Sequence, residues 1–139
     1  MRNQTLFLLF FGALTIAVLC GCAPKPDLAA VKLPDLGTDP IAYCNLDDQG
    51  GLIVIVTNQG TADAPESFTS VTFTTSTGDV VVDLRTPPLP MGESENLNVG
   101  AMPANCFQAD CFFTITVDAT SVMDEANEAD NSARGYCLG

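Results

Sequence analysis

Histidine and tryptophan are absent from this 139-residue sequence, and it has two tyrosines. Without histidine the chain cannot build Ser-His-Asp or Cys-His nucleophiles, histidine-ligated metal sites or histidine pH switches. A carboxylate-pair glycosidase would need aromatic walls that this composition hardly supplies. Gly50-Gly51 also lacks the following residues of a phosphate-binding loop. The sequence therefore predicts a protein that is not an enzyme, with no certain cofactor.

Positive charge is also scarce. Five Lys and Arg residues stand against 17 Asp and Glu residues, which gives a formal net charge of −12. Such a surface repels nucleic acid and anionic lipid headgroups, because both are bound through Lys and Arg. We therefore expect no nucleic-acid partner. The acidity is interpreted as a solubility feature, and binding of divalent cations or cationic partners is the alternative.

The first 21 residues have the order of an export signal. Arg2 precedes an apolar run over residues 6–19, which at fourteen residues is short for a membrane span of roughly 20 residues. The sequence L-C-G-C at 19–22 resembles a bacterial lipobox, in which a small residue precedes the cysteine that is lipidated. Gly21 before Cys22 suits this processing better than the bulky Leu19 before Cys20. The alternative is an ordinary secretory signal with incidental cysteines.

These features predict three parts of the chain: a signal peptide at 1–21, a lipidated Cys22 with a short spacer at 22–26, and one domain at 27–139. Removal of Arg2 would leave a net charge of 4 − 17 = −13. The expected location is the cell envelope, with the domain attached to a membrane by its lipid and facing the periplasm or the exterior. Ala23, rather than an acidic residue, follows Cys22, which favours an outer membrane if the organism is Gram-negative.

Four further cysteines lie in the predicted domain, and an even number in a small exported domain indicates disulfides. Cys106 and Cys111 bracket a loop of hairpin length, so a local bond there would leave Cys44 with Cys137 near the two ends of the domain. Three pairings are possible from the sequence. A zinc site is the weaker alternative, because no histidine is present and the cysteine spacing is irregular.

The predicted domain lacks any convincing 3.6-residue apolar period. It shows alternation and short β-branched runs bounded by Gly, Pro, Asn and Asp, which is typical of strands. Residues 77–79 predict a hairpin turn, and the prolines at 87, 88 and 90 predict a crossing loop or a sheet corner. The sequence predicts an all-β, immunoglobulin-like β-sandwich of seven to eight strands, with a small barrel as the alternative. The expected strands cover residues 28–33, 41–46, 52–56, 69–75, 80–84, 96–99, 111–117 and 132–138.

An acidic segment between the last two predicted strands carries seven carboxylate or amide side chains within fourteen residues. Calcium takes six to eight oxygen ligands from flexible loops, so this density raises the hypothesis of a Ca²⁺ site. The EF-hand spacing is missing. The alternative is a solvated acidic turn whose side chains cap backbone groups. The candidate metal ligands are Asp118, Asp124, Glu125, Glu128 and Asp130.

Three segments in order resemble the CARDB family, the cell-adhesion-related domain of bacteria. P-D-L at 26–28 is similar to its first strand, and residues 56–64 resemble its V-x-N-x-G-x-x-x-A segment. Residues 117–131 are similar to its closing V-D-x-x-x-x-V-x-E-x-N-E-x-N-N pattern. With Val122 as the second valine, the spacing to Glu125 is one residue longer than in that pattern, and Asp130 stands in place of an asparagine. The resemblance covers roughly residues 26–137.

This resemblance implies an immunoglobulin-like sandwich that acts as an extracellular binding or spacer module without catalysis. We therefore expect a membrane-anchored binding or adhesion module for an unknown protein or glycan. The alternative is a structural envelope lipoprotein that supports a partner complex. The turn after the 52–56 strand has a structural explanation, because the Asn58 side chain can bond nearby backbone and Gly60 permits a positive φ.

Overall fold

The computed structural model of this chain describes residues 23–34 and 40–139. In this part of the chain eight strands form two antiparallel sheets, as predicted. Short 3-10 helices lie at Pro40–Tyr43, Ala104–Cys106 and Glu128–Asp130. The strands are β1 (Leu28–Ala30), β2 (Asn45–Leu46), β3 (Gly51–Asn58), β4 (Ser67–Phe73), β5 (Val80–Thr86), β6 (Ser94–Ala101), β7 (Asp110–Thr116) and β8 (Ser132–Leu138).

The first sheet is centred on β3, whose apolar, β-branched sequence suits a central strand. β1 and β2 pair with opposite ends of β3 along one edge, and β6 pairs with the other edge. The pairing of β3 with β6 contains a β-bulge, in which Val99 is the extra residue of β6 between the partners of Leu52 and Ile53. Gly100, next to this bulge, has a φ of +85°. The sheet therefore runs β1/β2–β3–β6.

The second sheet has the strand order β5–β4–β7–β8. The predicted hairpin is confirmed, since Phe73 pairs with Val80 across the turn that contains Gly78, which has a φ of +120°. The prolines after β5 carry the chain from the second sheet to β6 in the first, because proline cannot donate to a sheet ladder. The predicted crossing loop is confirmed.

The core lies between the two sheets. Alternate residues of β3 and of β7 face inward, so Leu52, Val54 and Val56 meet Phe113 and Ile115. Two separate sheets packed on a shared core form a sandwich, so the barrel alternative is wrong. The chain has the predicted immunoglobulin-like architecture.

The two front strands differ from the prediction. The segment predicted as a strand at 41–46 begins instead as the 3-10 helix Pro40–Tyr43, and a two-residue strand follows it. Proline fixes φ in a helical range and donates no hydrogen bond, so it starts a helical turn more easily than a paired strand. β1 ends at Ala30 rather than at residue 33. The N–H of Leu33 donates a hydrogen bond to the carbonyl of Ala42 instead of pairing in the sheet.

Candidate functional site

The segments that carry the CARDB resemblance meet at one end of the sandwich. The backbone carbonyl of Lys25 accepts a hydrogen bond from the Thr61 N–H at 2.8 Å. The Pro26 carbonyl accepts one from the Ala126 N–H at 2.9 Å. The start of the domain is therefore held between two loops that are distant in sequence. We call this the proximal end and define it as residues 23–28, 58–62 and 118–131.

Asn58 is the central side chain of the proximal end and is fully buried. Its Oδ1 accepts hydrogen bonds from the N–H groups of Asp27 and Gly60, both at 3.1 Å. Its Nδ2 donates to the carbonyls of Ala62 at 2.8 Å and Leu89 at 2.9 Å. One buried amide thus satisfies four backbone groups, which confirms the structural interpretation of this asparagine.

Gly60 has a different role from the one predicted, because it is not among the glycines with a positive φ. A Cβ atom at this position would lie 2.4 Å from the carbonyl oxygen of Lys25 and 2.5 Å from the carbonyl carbon of Pro26. Glycine is therefore required for the close approach of two backbone segments. The sequence could not show this, since the neighbouring segment is more than thirty residues away.

Glu125 joins the third segment to β1. Its side chain is almost completely buried; Oε1 accepts a hydrogen bond from the Leu28 N–H at 2.7 Å, and Oε2 accepts one from Asn131 Nδ2 at 2.6 Å. Burial raises the pKa of Glu125 above its ordinary value, although both hydrogen bonds act in the opposite direction. The nearby carboxylates of Asp118 and Glu128 also raise this pKa. The carboxylate therefore fixes β1 from inside the domain.

Asp118 organises the loop that follows β7. It is buried, has a φ of +40°, and its two carboxylate oxygens accept from the N–H groups of Val122 at 3.1 Å and Met123 at 3.2 Å. Val122 is exposed, whereas Met123 packs against the core. Met123 rather than Val122 therefore occupies the apolar position of the family pattern, and the spacing to Glu125 needs no extra residue.

The acidic candidates for a calcium site are mostly engaged with protein groups. Asp124 forms an exposed ion pair with Lys25 at 2.7 Å, and Glu128 accepts from the Glu125 N–H at 3.0 Å. Among the described residues no three acidic or cysteine side chains are grouped to hold a metal ion. The Ca²⁺ hypothesis stays a prediction that calorimetric titration with calcium tests. It names Asp118, Asp124, Glu125, Glu128 and Asp130.

The predicted lipid attachment residue, Cys22, and the predicted signal peptide lie outside the described residues. Ala23 begins the described chain at the proximal end, where it borders a cleft of about 590 Å³ together with Lys25, Thr61 and Ala126. Across residues 23–34 and 40–139, no helix has the length and apolar character needed to span a bilayer.

The opposite end of the sandwich is held covalently. The structure pairs Cys44 with Cys137 and Cys106 with Cys111, which settles the connectivity that the sequence left open. Cys111 and Cys137 are also partners across β7 and β8, so the two disulfides are neighbours. β3 runs from this end at Gly51 toward the proximal end at Asn58. We call this the distal end: residues 74–79 and 102–112, with the end of β8.

A cleft of about 520 Å³ lies at the distal end. The exposed ring of Phe112 forms part of it, and Tyr136 lies beside this ring with 5.4 Å between the ring centroids. Sequence reasoning missed this cleft, although the alternation of β7 placed Phe112 opposite the buried Phe113. The lining residues are Thr74, Thr75, Ser76, Cys106, Gln108, Ala109, Asp110 and Phe112.

Comparison with known families matches residues 47–134 to CARDB, which is more than half of the chain. The chain belongs to the CARDB family. Comparisons with curated proteins and with solved structures gave no match. Family membership indicates a bacterial adhesion-related module with a binding-type β-sandwich.

Proposed function

We propose that this protein is a lipid-anchored, extracytoplasmic binding module without catalytic activity, which is displayed from the cell envelope. The observation that carries the proposal is the geometry of the chain at the proximal end. The backbone of residues 25–28, which follows the predicted anchor at Cys22, is fixed by Asn58, Thr61 and Glu125. A tether at Cys22 would therefore pull on a rigid end of the domain.

The distal cleft supports a display role. Eight residues of β3 separate the two ends, a length of about 25 Å at the usual rise per residue. A tether at the proximal end would direct the distal cleft away from the membrane surface. The two disulfides support an oxidising, extracytoplasmic location, because such bonds are rare in reducing compartments.

Substitution of the predicted lipid attachment residue tests the proposal. We expect the full-length wild-type chain to incorporate labelled palmitate and to fractionate with membranes, and Cys22→Ala to lose both properties. Cys20→Ala is the matched control and should keep both, because Leu19 makes Cys20 a poor processing site. Unchanged labelling and membrane fractionation of Cys22→Ala would contradict the anchor.

Crosslinking in whole cells tests the binding role. A tethered binding module should crosslink to surface ligands that vary with the medium or the neighbouring cells. A fixed stoichiometric complex with another envelope protein, independent of such ligands, would contradict a binding module and favour the structural lipoprotein.

A further inference from the structure

We propose that the distal cleft binds a neutral glycan, with one sugar ring stacked on Phe112 and its hydroxyl groups bonded to polar groups of the cleft. This inference rests on the proposed binding function and names the ligand class. The cleft lies outside the three segments that carry the family resemblance, so those segments do not account for it.

The walls of the cleft are braced in advance of any ligand. Asn105 Nδ2 donates to the hydroxyl oxygens of Thr75 at 3.2 Å and Thr77 at 2.8 Å, which ties the 102–109 loop to the β4–β5 turn. The Ser76 N–H also donates to the Asn105 carbonyl at 3.2 Å. The Cys106–Cys111 disulfide closes the loop at its base. A preformed cleft loses less conformational entropy when it binds a ligand.

The cleft exposes an aromatic surface to water, which is energetically unfavourable. Phe112 is 53% exposed although its neighbour Phe113 is buried in the core. Tyr136 packs beside it at an interplanar angle of 39°, which widens the aromatic surface. The C–H face of a pyranose ring is apolar and flat, so the sugar can stack on an aromatic ring while the sugar's hydroxyl groups remain directed outward.

The polar groups around Phe112 match the edge of a sugar. Thr74, Ser76 and Gln108 supply hydroxyl and amide groups that both donate and accept hydrogen bonds, and Asp110 supplies an acceptor. A sugar hydroxyl also both donates and accepts. A hydrophobic peptide segment would leave most of these groups unpaired, which costs binding energy.

The charge of the cleft selects among glycans. Asp110 is the charged residue that lines it, and the whole chain carries a net charge of −12. Arg134 lines a neighbouring depression beside Phe112 rather than the cleft itself. Sialylated or sulfated glycans would therefore meet repulsion at the cleft, whereas neutral glycans would not.

The first test uses the full chain, purified in a zwitterionic detergent that contains no sugar. The probes are a printed array of neutral oligosaccharides, including oligomers of β-linked glucose, galactose and N-acetylglucosamine, together with their sialylated and sulfated counterparts. We expect binding to at least one neutral probe and weaker binding to its charged counterparts. Absence of neutral binding, or binding to charged probes alone, would overturn the inference.

The second test locates the site with a matched pair of substitutions. Phe112→Ala should weaken binding of the best neutral probe at least tenfold by calorimetry. Phe68→Ala removes an exposed phenylalanine from β4, whose first residues lie toward the proximal end, and should leave the affinity within twofold. Melting curves of both variants confirm folding. Equal affinity of Phe112→Ala and wild type would overturn the cleft assignment.

Failure of the glycan inference can be separated from failure of the proposed function. If Cys22→Ala loses the membrane while no neutral glycan binds, the tethered module stands and its ligand is of another class. Capture of a protein at the distal cleft, abolished by Phe112→Ala in the absence of glycan, would likewise reject the glycan and retain the binding module.

Discussion

The two ends of the sandwich are stabilised by different chemistry. The distal end has two neighbouring disulfides. The proximal end relies on hydrogen bonds from buried polar side chains, chiefly Asn58, Asp118 and Glu125. The Cys106–Cys111 disulfide closes the loop that borders the distal cleft. Buried polar groups at the other end determine where the chain enters the domain. The comparison separates an end stabilised by buried hydrogen bonds from an end stabilised by disulfides.

The long disulfide should give the largest effect on stability. Cys44→Ser with Cys137→Ser removes a bond across a separation of 93 residues, and the chain-entropy relation gives a loss of about 4–5 kcal/mol in unfolding free energy. Urea denaturation of the oxidised proteins measures it. A loss no larger than that for the Cys106–Cys111 bond would contradict this assignment.

Asn58→Ala should give the next largest loss, about 3 kcal/mol, because it removes the four hydrogen bonds that this buried amide makes to backbone groups of three segments. Asn96→Ala, at an exposed asparagine of β6, is the matched control and should change stability by less than about 0.5 kcal/mol. Hydrogen exchange should quicken at residues 27–30 in Asn58→Ala and not in the control. Equal effects of the two substitutions would show that the proximal end does not depend on this buried amide.

The short disulfide sharpens the comparison at the distal end. Cys106→Ser with Cys111→Ser should lower the unfolding free energy by about 2 kcal/mol, since the closed loop spans a separation of five residues. Exchange protection of residues 27–30 should stay unchanged, because the proximal end has its own contacts. Loss of protection there would show that the two ends are energetically coupled.

The smallest expected effect is a pH dependence. Burial raises the pKa of Glu125 above its ordinary value of 4.5, so the folded state binds more protons than the unfolded state just above that pH. The stabilising effect of the protonated form is present below pH 4.5 and is lost as pH rises through the folded pKa. Denaturation across pH 4–7 should show the stability of wild type falling relative to Glu125→Gln.

The comparison with an exposed acid serves as the control for this pH effect. Asp124→Asn removes a carboxylate whose ion pair with Lys25 is exposed, and it should leave the pH profile of wild type nearly unchanged. A constant difference between wild type and Glu125→Gln at all pH values would contradict the effect of burial.

Much of the fold followed from local patterns. The alternation in residues 69–75 and 111–117 predicted β4 and β7, and the turn before Val80 predicted the hairpin. The prediction of a strand at 41–46 was wrong, because the apolar residues of this segment do not reveal that Pro40 begins a 3-10 helix. The assignment of Val122 to the apolar position of the family pattern was also wrong. Sequence spacing does not show that the next residue, Met123, faces the core.

The sequence by itself determined most of the strand pattern, the acidity, the lack of histidine chemistry and the family, because these depend on composition and short spacing. Tertiary structure alone decided the disulfide connectivity, the burial of Glu125 and the close approach at Gly60. It also placed the Phe112 cleft beside residues 74–76. Each of these depends on contacts between segments distant along the chain, and chain folding rather than local propensity brings such segments together.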